Sequence, residues 1–244
     1  MPFRQLPATD ATRAQALTAA LEKSAATTGS SRLISAATAT ALQAFHPNWE
    51  RETTERADAL GHQTSNTATL EAIGASLRMH ASHFIQVYQF GVARGIHTPS
   101  GRALYELSVN EETVPNLDAE PDLLQWADRI VKGDPRRVIQ FGEPAMANPT
   151  AAEVAAVLAT YKSQLTLQSA AKDALEGEQT DVNALRPAAD QLIRDIWDEV
   201  EFALRQHDAP TLRRRAREWG VFYALRPGEP EEPITETPPA PPVP

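Results

Sequence analysis

Cysteine is missing from all 244 residues. Its absence excludes disulfides, thiolate nucleophiles and cysteine-ligated zinc or iron–sulfur centres, and it leaves the redox compartment open. Aromatic residues are scarce, at 6% of the chain, while alanine is abundant and β-branched runs are rare, so intrinsic preference favours helix over sheet. Long apolar runs are missing as well. Nothing approaches the roughly 18 residues that a membrane span requires. The opening stretch MPFRQLPATDATRAQ has no apolar core of the kind a secretory signal needs. The expected setting is the cytoplasm, with no membrane partner.

A basic excess is also absent. The formal charge is −9, whereas a general nucleic-acid binder presents a positive surface to phosphates. The charge is uneven: residues 72–105 hold Arg78, Arg94 and Arg102 with no acid, and residues 106–155 hold ten acids against four bases. There is no glycine-rich dinucleotide fingerprint, no phosphate-loop lysine motif, no Gly-x-Ser-x-Gly elbow and no internal repeat.

What is present is helical periodicity. A first helix is expected from Thr9, with Leu17 and Leu21 four apart and Gly29 as its stop or kink; a second stretch carries Ile34, Ala37, Ala41 and Phe45 up to Pro47. Asn48 then suits a cap, and the absence of proline from Trp49 to Ile96 allows a helix over 49–96. Within it, Leu70, Ile73, Leu77, His80, Phe84, Val87 and Gly91 alternate steps of three and four, as in a coiled-coil seam, and Ala81, Ile85, Tyr88 and Val92 widen the stripe.

Prolines then punctuate residues 97–149, which predicts short helices. One is closed by Gly133, and another is capped by Asp134 with Pro135 at its first position and Gly142 as its stop. Thr150 and Glu153 form a capping box for a helix over 151–176. A break at Gly177–Thr180 predicts an antiparallel hairpin with a helix over 182–207. Asp208 suits a cap for a short basic helix, VFYAL at 221–225 is the one candidate strand, and residues 227–244 are acidic, proline-rich and expected to be disordered. The expected fold is all-α. It is an elongated bundle of about four long helices in one domain, residues 1–226, with residues 97–149 as a short-helix cap.

His80 and His83 stand three apart and could share a metal, but no histidine has the Glu-x-x-His or His-Glu-x-x-His context of a metal-binding helix. A packed histidine bonded to a neighbouring helix is the expectation, and no cofactor or metal is expected. In DIWDEVEFALR, the residues Arg194, Asp198, Glu201 and Arg205 share one stripe with i,i+4 ion pairs, opposite Ile193, Ile196, Val200 and Ala203. Asp195 and Glu199 lie at its boundary. Arg213, Arg214, Arg215, Arg217 and Trp219 are the interaction candidates, with packing of the aromatics as the competing account. The Pro238 to Pro241 spacing suits an aromatic-groove partner. Together these features predict a non-enzymatic structural or protein-interaction bundle that binds protein partners or its own copies. A metal or small-ligand bundle using His80 and His83 is the alternative, and a nucleic-acid-associated protein using the 213–217 arginines is the weaker one.

Overall fold

The computed structural model describes residues 2–27, 31–110 and 112–226. The expectations placed on Gly29, on Pro238 and Pro241, and on the tail at 227–244 lie outside the described residues. The fold is all-α, as expected. In chain order it comprises β1 (Phe3–Arg4), α1 (Asp10–Ala26), α2 (Ala36–Ala93), a 3₁₀ helix (Pro99–Tyr105), α3 (Glu120–Phe141), α4 (Ala151–Leu204), α5 (Ala209–Arg217) and β2 (Tyr223–Ala224). Among the described residues, no helix is long and apolar enough to cross a membrane.

Local hydrogen bonds close the helix ends, and at Thr150 with Glu153, Asp208 and Gly142 they do so as the sequence predicts. Thr9 caps α1 by accepting from the Thr12 N–H at 3.2 Å, and Thr12 returns the bond to the Thr9 N–H at 3.1 Å. The Thr150 and Glu153 capping box forms, with bonds of 2.7 and 3.1 Å. Asp208 caps α5 by accepting from the Thr211 N–H at 3.1 Å, and Gly142 ends α3 at φ 66°. VFYAL supplies β2, which pairs antiparallel with β1.

Three expected interruptions do not occur, and packing explains each. Pro47 lies inside α2, so Asn48 is not a cap and the stretches either side of it form one helix. Its ring crowds the preceding turn and removes one backbone donor, at a cost of about 3 kcal/mol. Anchors on both sides hold the helix through it. Leu42 and Trp49 are fully buried, Phe45 stacks on Trp49 with centroids 6.2 Å apart, and His46 Nε2 lies 2.9 Å from the Thr18 hydroxyl of α1.

Likewise, α4 continues through Gly177–Thr180 and through Pro187, so the expected hairpin is a single helix of 54 residues. Val182 and Ala189, both fully buried, secure it on either side of that proline. In α3, Gly133 is not a stop and Asp134 is not a cap. A Cβ at Gly133 would lie 2.6 Å from the Leu104 carbonyl oxygen and 2.7 Å from the Tyr105 ring, so glycine is there for close approach. The long helices are therefore α2 and α4, with α1 and α3 shorter, rather than the four long helices expected.

The chain divides into two compact units, one of residues 1–58 and 177–244 and one of residues 59–176. The first packs α1 and parts of α2, α4 and α5 around Leu17, Leu42, Trp49, Ile193, Ile196, Trp197, Val200 and Trp219. The second packs parts of α2 and α4 with the 3₁₀ helix and α3 around Leu77, Phe84, Tyr88, Tyr105, Leu123, Ile130 and Val154.

A continuous α4 makes Gly177 a plain mid-helix glycine, and a Cβ there would meet nothing within 4 Å. Gly177→Ala is expected to stabilise the protein by about 0.5–1 kcal/mol, because alanine loses less backbone entropy on folding. Thermal or urea unfolding checks this. A loss of stability would mean that the chain turns at this residue.

Candidate functional site

His80 is half-buried, and its Nδ1–H donates to the Ser76 carbonyl at 2.7 Å, a bond to its own helix rather than to a neighbour. His83 is exposed. The inward stripe of α2 in this region runs through Leu77, Ala81, Phe84, Ile85 and Tyr88, which leaves His80 and Val87 at its edges. Among the described residues, a group with metal-ligand spacing does form elsewhere: Glu52, Glu55 and Glu178 each bring one carboxylate oxygen within 4.8 Å of the others. Burial, followed by the charge of Glu55, raises the Glu178 pKa.

The charged stripe of α4 pairs differently from the expected i,i+4 scheme. Asp198 and Glu201 converge on Arg4 of β1, at 2.5 and 3.3 Å. Glu199 caps the start of α2, taking the Ser35 N–H and the Ser35 and Thr38 hydroxyls. Asp195 is exposed and accepts from Gln191. Ile193, Ile196 and Val200 face the core as expected; Ala203 is exposed and Leu204 is buried instead.

The basic helix α5 is divided. Arg213 is buried, and Trp219 is almost wholly buried in the core, so the packing account describes Trp219. Arg215 donates to His207 Nε2 at 2.7 Å. Arg214 and Arg217 are exposed.

A polar cluster that the sequence did not signal lies inside the second unit. Arg137, with a fully buried side chain, donates to Asp134 at 2.7 Å, to Glu143 at 2.7 Å, to the Tyr105 hydroxyl at 2.9 Å and to the Pro144 carbonyl at 2.8 Å. The Tyr105 hydroxyl donates to Asp134 at 2.8 Å, and the Glu143 carboxylate accepts from the Thr98 backbone N–H at 2.6 Å. Burial, then the Asp134 charge, pushes Tyr105 up, and burial with the Glu143 charge pushes Tyr88 up to about 12. For Arg137 burial acts downward, but the bonds to Asp134 and Glu143 outweigh it and hold the guanidinium charged. The members satisfy one another, and Gly101 is closed over by the Tyr88 hydroxyl and the Arg137 stem. The arrangement ties the 3₁₀ helix to α3 and to the segment after it.

The candidate binding surface is in the first unit. A groove of about 470 Å³ is lined by Gln5–Thr9, by Thr12, Gln15, Ala16 and Ala19 of α1, by Trp197 of α4, and by Arg217, Gly220, Val221 and Phe222. Gly220 sets the wall: at φ 80° it reverses the chain after α5, and a Cβ there would lie 2.7 Å from the Ala16 carbonyl oxygen. Trp197 forms a buried floor, whereas Phe222 is 62% exposed and Leu6 stands open beside it. The Arg217 guanidinium lies 5.8 Å from the Tyr223 ring centroid, and Arg217 makes no ion pair with the described residues. The Tyr223 hydroxyl donates to Glu201 at 2.5 Å. Sequence reasoning reached Arg217 and the aromatics of the VFYAL stretch, Phe222 among them, but missed Leu6, Pro7 and Trp197. The signal was the pair of short apolar stretches at the two ends, which β1 and β2 bring together.

No family model, no curated protein and no solved structure matches the chain.

Two outcomes follow from the buried cluster. Arg137→Met leaves Asp134 and Glu143 without their cation and is expected to cost about 3–5 kcal/mol in denaturant unfolding. The Glu143 pKa is lowered: burial acts upward, but the Thr98 bonds and the Arg137 guanidinium prevail. A depressed carboxylate stabilises the fold above its unfolded pKa, about 4.3, and that contribution fades as pH falls through the folded value. Stability measured from pH 6 downward should therefore drop below roughly pH 4, with a smaller drop in Glu143→Gln.

Proposed function

We propose that the chain is a non-enzymatic protein-binding helical protein whose binding surface is the groove of the first unit. The observation that carries this reading is the groove itself. Its volume falls within the range of ligand sites, its walls are mainly apolar, and Leu6 and Phe222 stand exposed at its side. An exposed aromatic above a buried tryptophan floor suits a short apolar segment of another protein, with Arg217 available to a carboxylate on it. The Arg137 cluster supports the non-enzymatic part of the reading, because its acid, base and hydroxyl groups are engaged with each other.

The test uses the full chain purified from its own host under native conditions, with native mass spectrometry as the readout. The expected mass exceeds one 26.6 kDa chain, by a further copy or by a defined partner. Leu6→Glu with Phe222→Glu should return it to the bare chain while the helical signal and melting temperature persist. A complex that survives both substitutions removes the groove from the account. A bare chain from the start would sink the protein-binding reading.

A further inference from the structure

Two contacts close the rim of the groove into a ring. The Gln5 N–H donates to the Phe222 carbonyl at 3.0 Å, which joins the wall of residues 5–9 to the wall of residues 220–222. On the other side Gly220 backs onto Ala16, too closely for any side chain at 220. The chain itself completes the circuit, from Gln5 through Thr9 and Thr12 to Ala16 of α1, and from Gly220 to Phe222. Trp197 lies beneath as the floor. The space is therefore a bowl with one mouth rather than a channel open at both ends.

That shape selects the kind of segment it can take. An internal stretch of a partner has to enter and leave, and it commonly docks by adding a strand to a row of backbone donors. Neither is offered here. Pro7 has no N–H and interrupts the row on the 5–9 wall, and α1 already begins at Asp10. A chain end needs only the mouth. The volume of about 470 Å³ lies in the lower half of the range of ligand sites, enough for the last few residues of a chain.

Charge decides which end. Among the described residues that line the groove, Arg217 alone is charged, and the rest of the lining is mainly apolar. Its guanidinium stands beside the Tyr223 ring and meets no acid among the described residues. An N-terminal ammonium would be repelled there, whereas a C-terminal carboxylate presents two oxygens to a guanidinium in bidentate geometry.

We propose that the groove receives the free C-terminus of a protein partner, with the apolar side chains of its last residues against Phe222 and Trp197 and its terminal carboxylate on Arg217. This rests on reading the groove as a protein-binding surface, and it specifies the chemistry of the partner.

The test selects random heptapeptides, displayed with free C-termini, on the full chain. The strongest ligand is then titrated in solution as its free acid, as its C-terminal amide, and with Gly-Gly added past its end. Apolar residues are expected to recur at the last positions, and the amide and the extended peptide should bind about ten-fold more weakly than the acid. Arg217→Gln should bring the acid down to the level of the amide and leave the amide unchanged, with circular dichroism confirming that the helices persist. Failure to enrich any C-terminal sequence overturns the proposal, as does a ligand that binds equally well as acid and amide. An equal loss of both forms in Arg217→Gln removes the carboxylate from that residue. Octanoate that displaces the peptide at or below the peptide's own concentration gives the groove to a free fatty carboxylate and overturns the C-terminus. A partner held through an internal segment would still raise the native mass and would still be lost with Leu6→Glu and Phe222→Glu, so the two readings of the groove fail separately.

Discussion

The carboxylate of Asp10 holds the first unit in register. It sits in the first turn of α1, nearly buried, and takes Arg186 of α4 through two bonds of 2.8 and 2.7 Å. Arg56 of α2 lies 3.2 Å away and Arg13 of α1 3.4 Å away. Hydrogen bonding from Arg186, helped by the charges of all three arginines, holds its pKa below the usual value despite burial. Arg13 reaches in turn to Asp190 at 2.7 Å. One acid thereby ties three helices together at a helix N-terminus, where the backbone dipole also favours negative charge. The groove depends on this arrangement, because its walls are α1 and the segment just before it, set against Trp197 of the same helix that carries Arg186 and Asp190.

The second unit is organised on the opposite polarity, with a cation at its centre. Arg137 is wrapped by Asp134, Glu143, the Tyr105 hydroxyl and a backbone carbonyl. A fully buried guanidinium is tolerated only when its charge is paired and its donors are met, and that demand fixes the surroundings. Glycine is required at 133 so that Tyr105 can approach, and at 101 so that Tyr88 and Arg137 can close over the backbone. In the first unit, long-range ion pairs join elements distant in sequence; in the second, hydrogen bonds from Tyr105 and Thr98 to the Arg137 cluster do so, while apolar contacts fill the space between them.

The sequence made the helix ends legible and the helix middles misleading. Thr150 with Glu153, Asp208 and Gly142 were readable because a cap is a local exchange of hydrogen bonds among neighbours. Pro47, Pro187, Gly133 and the Gly177–Thr180 stretch looked like breaks because their local cost is real, about 1 kcal/mol for a glycine and 3 for a proline. What overrode that cost was burial of Trp49, Leu42, Val182 and Ala189, contacts made with residues far away along the chain. The seam on α2 was found but placed a position out, since Tyr88 and Ile85 had been read as its margin. The i,i+4 pairs of α4 failed for a related reason: Arg4, nearly two hundred residues away, competes for the same acids and wins by meeting both at once.

The groove was hidden for a further reason. Its walls come from residues 5–19 and 217–222 with one tryptophan between, and no periodicity links them. What creates it is a mismatch of bulk. Ala16 and Ala19 give α1 a low surface, whereas Leu6 and Phe222 stand exposed next to each other, joined by the Gln5 N–H bond to the Phe222 carbonyl, with Gly220 pulling its turn in against Ala16. A folded chain ordinarily covers such a depression with a larger residue on the helix, since one leucine in place of alanine would bury more apolar area. Small residues beside one exposed phenylalanine leave the depression open. The arginine at its edge, near the Tyr223 ring with no acid among the described residues to meet it, makes that edge positive.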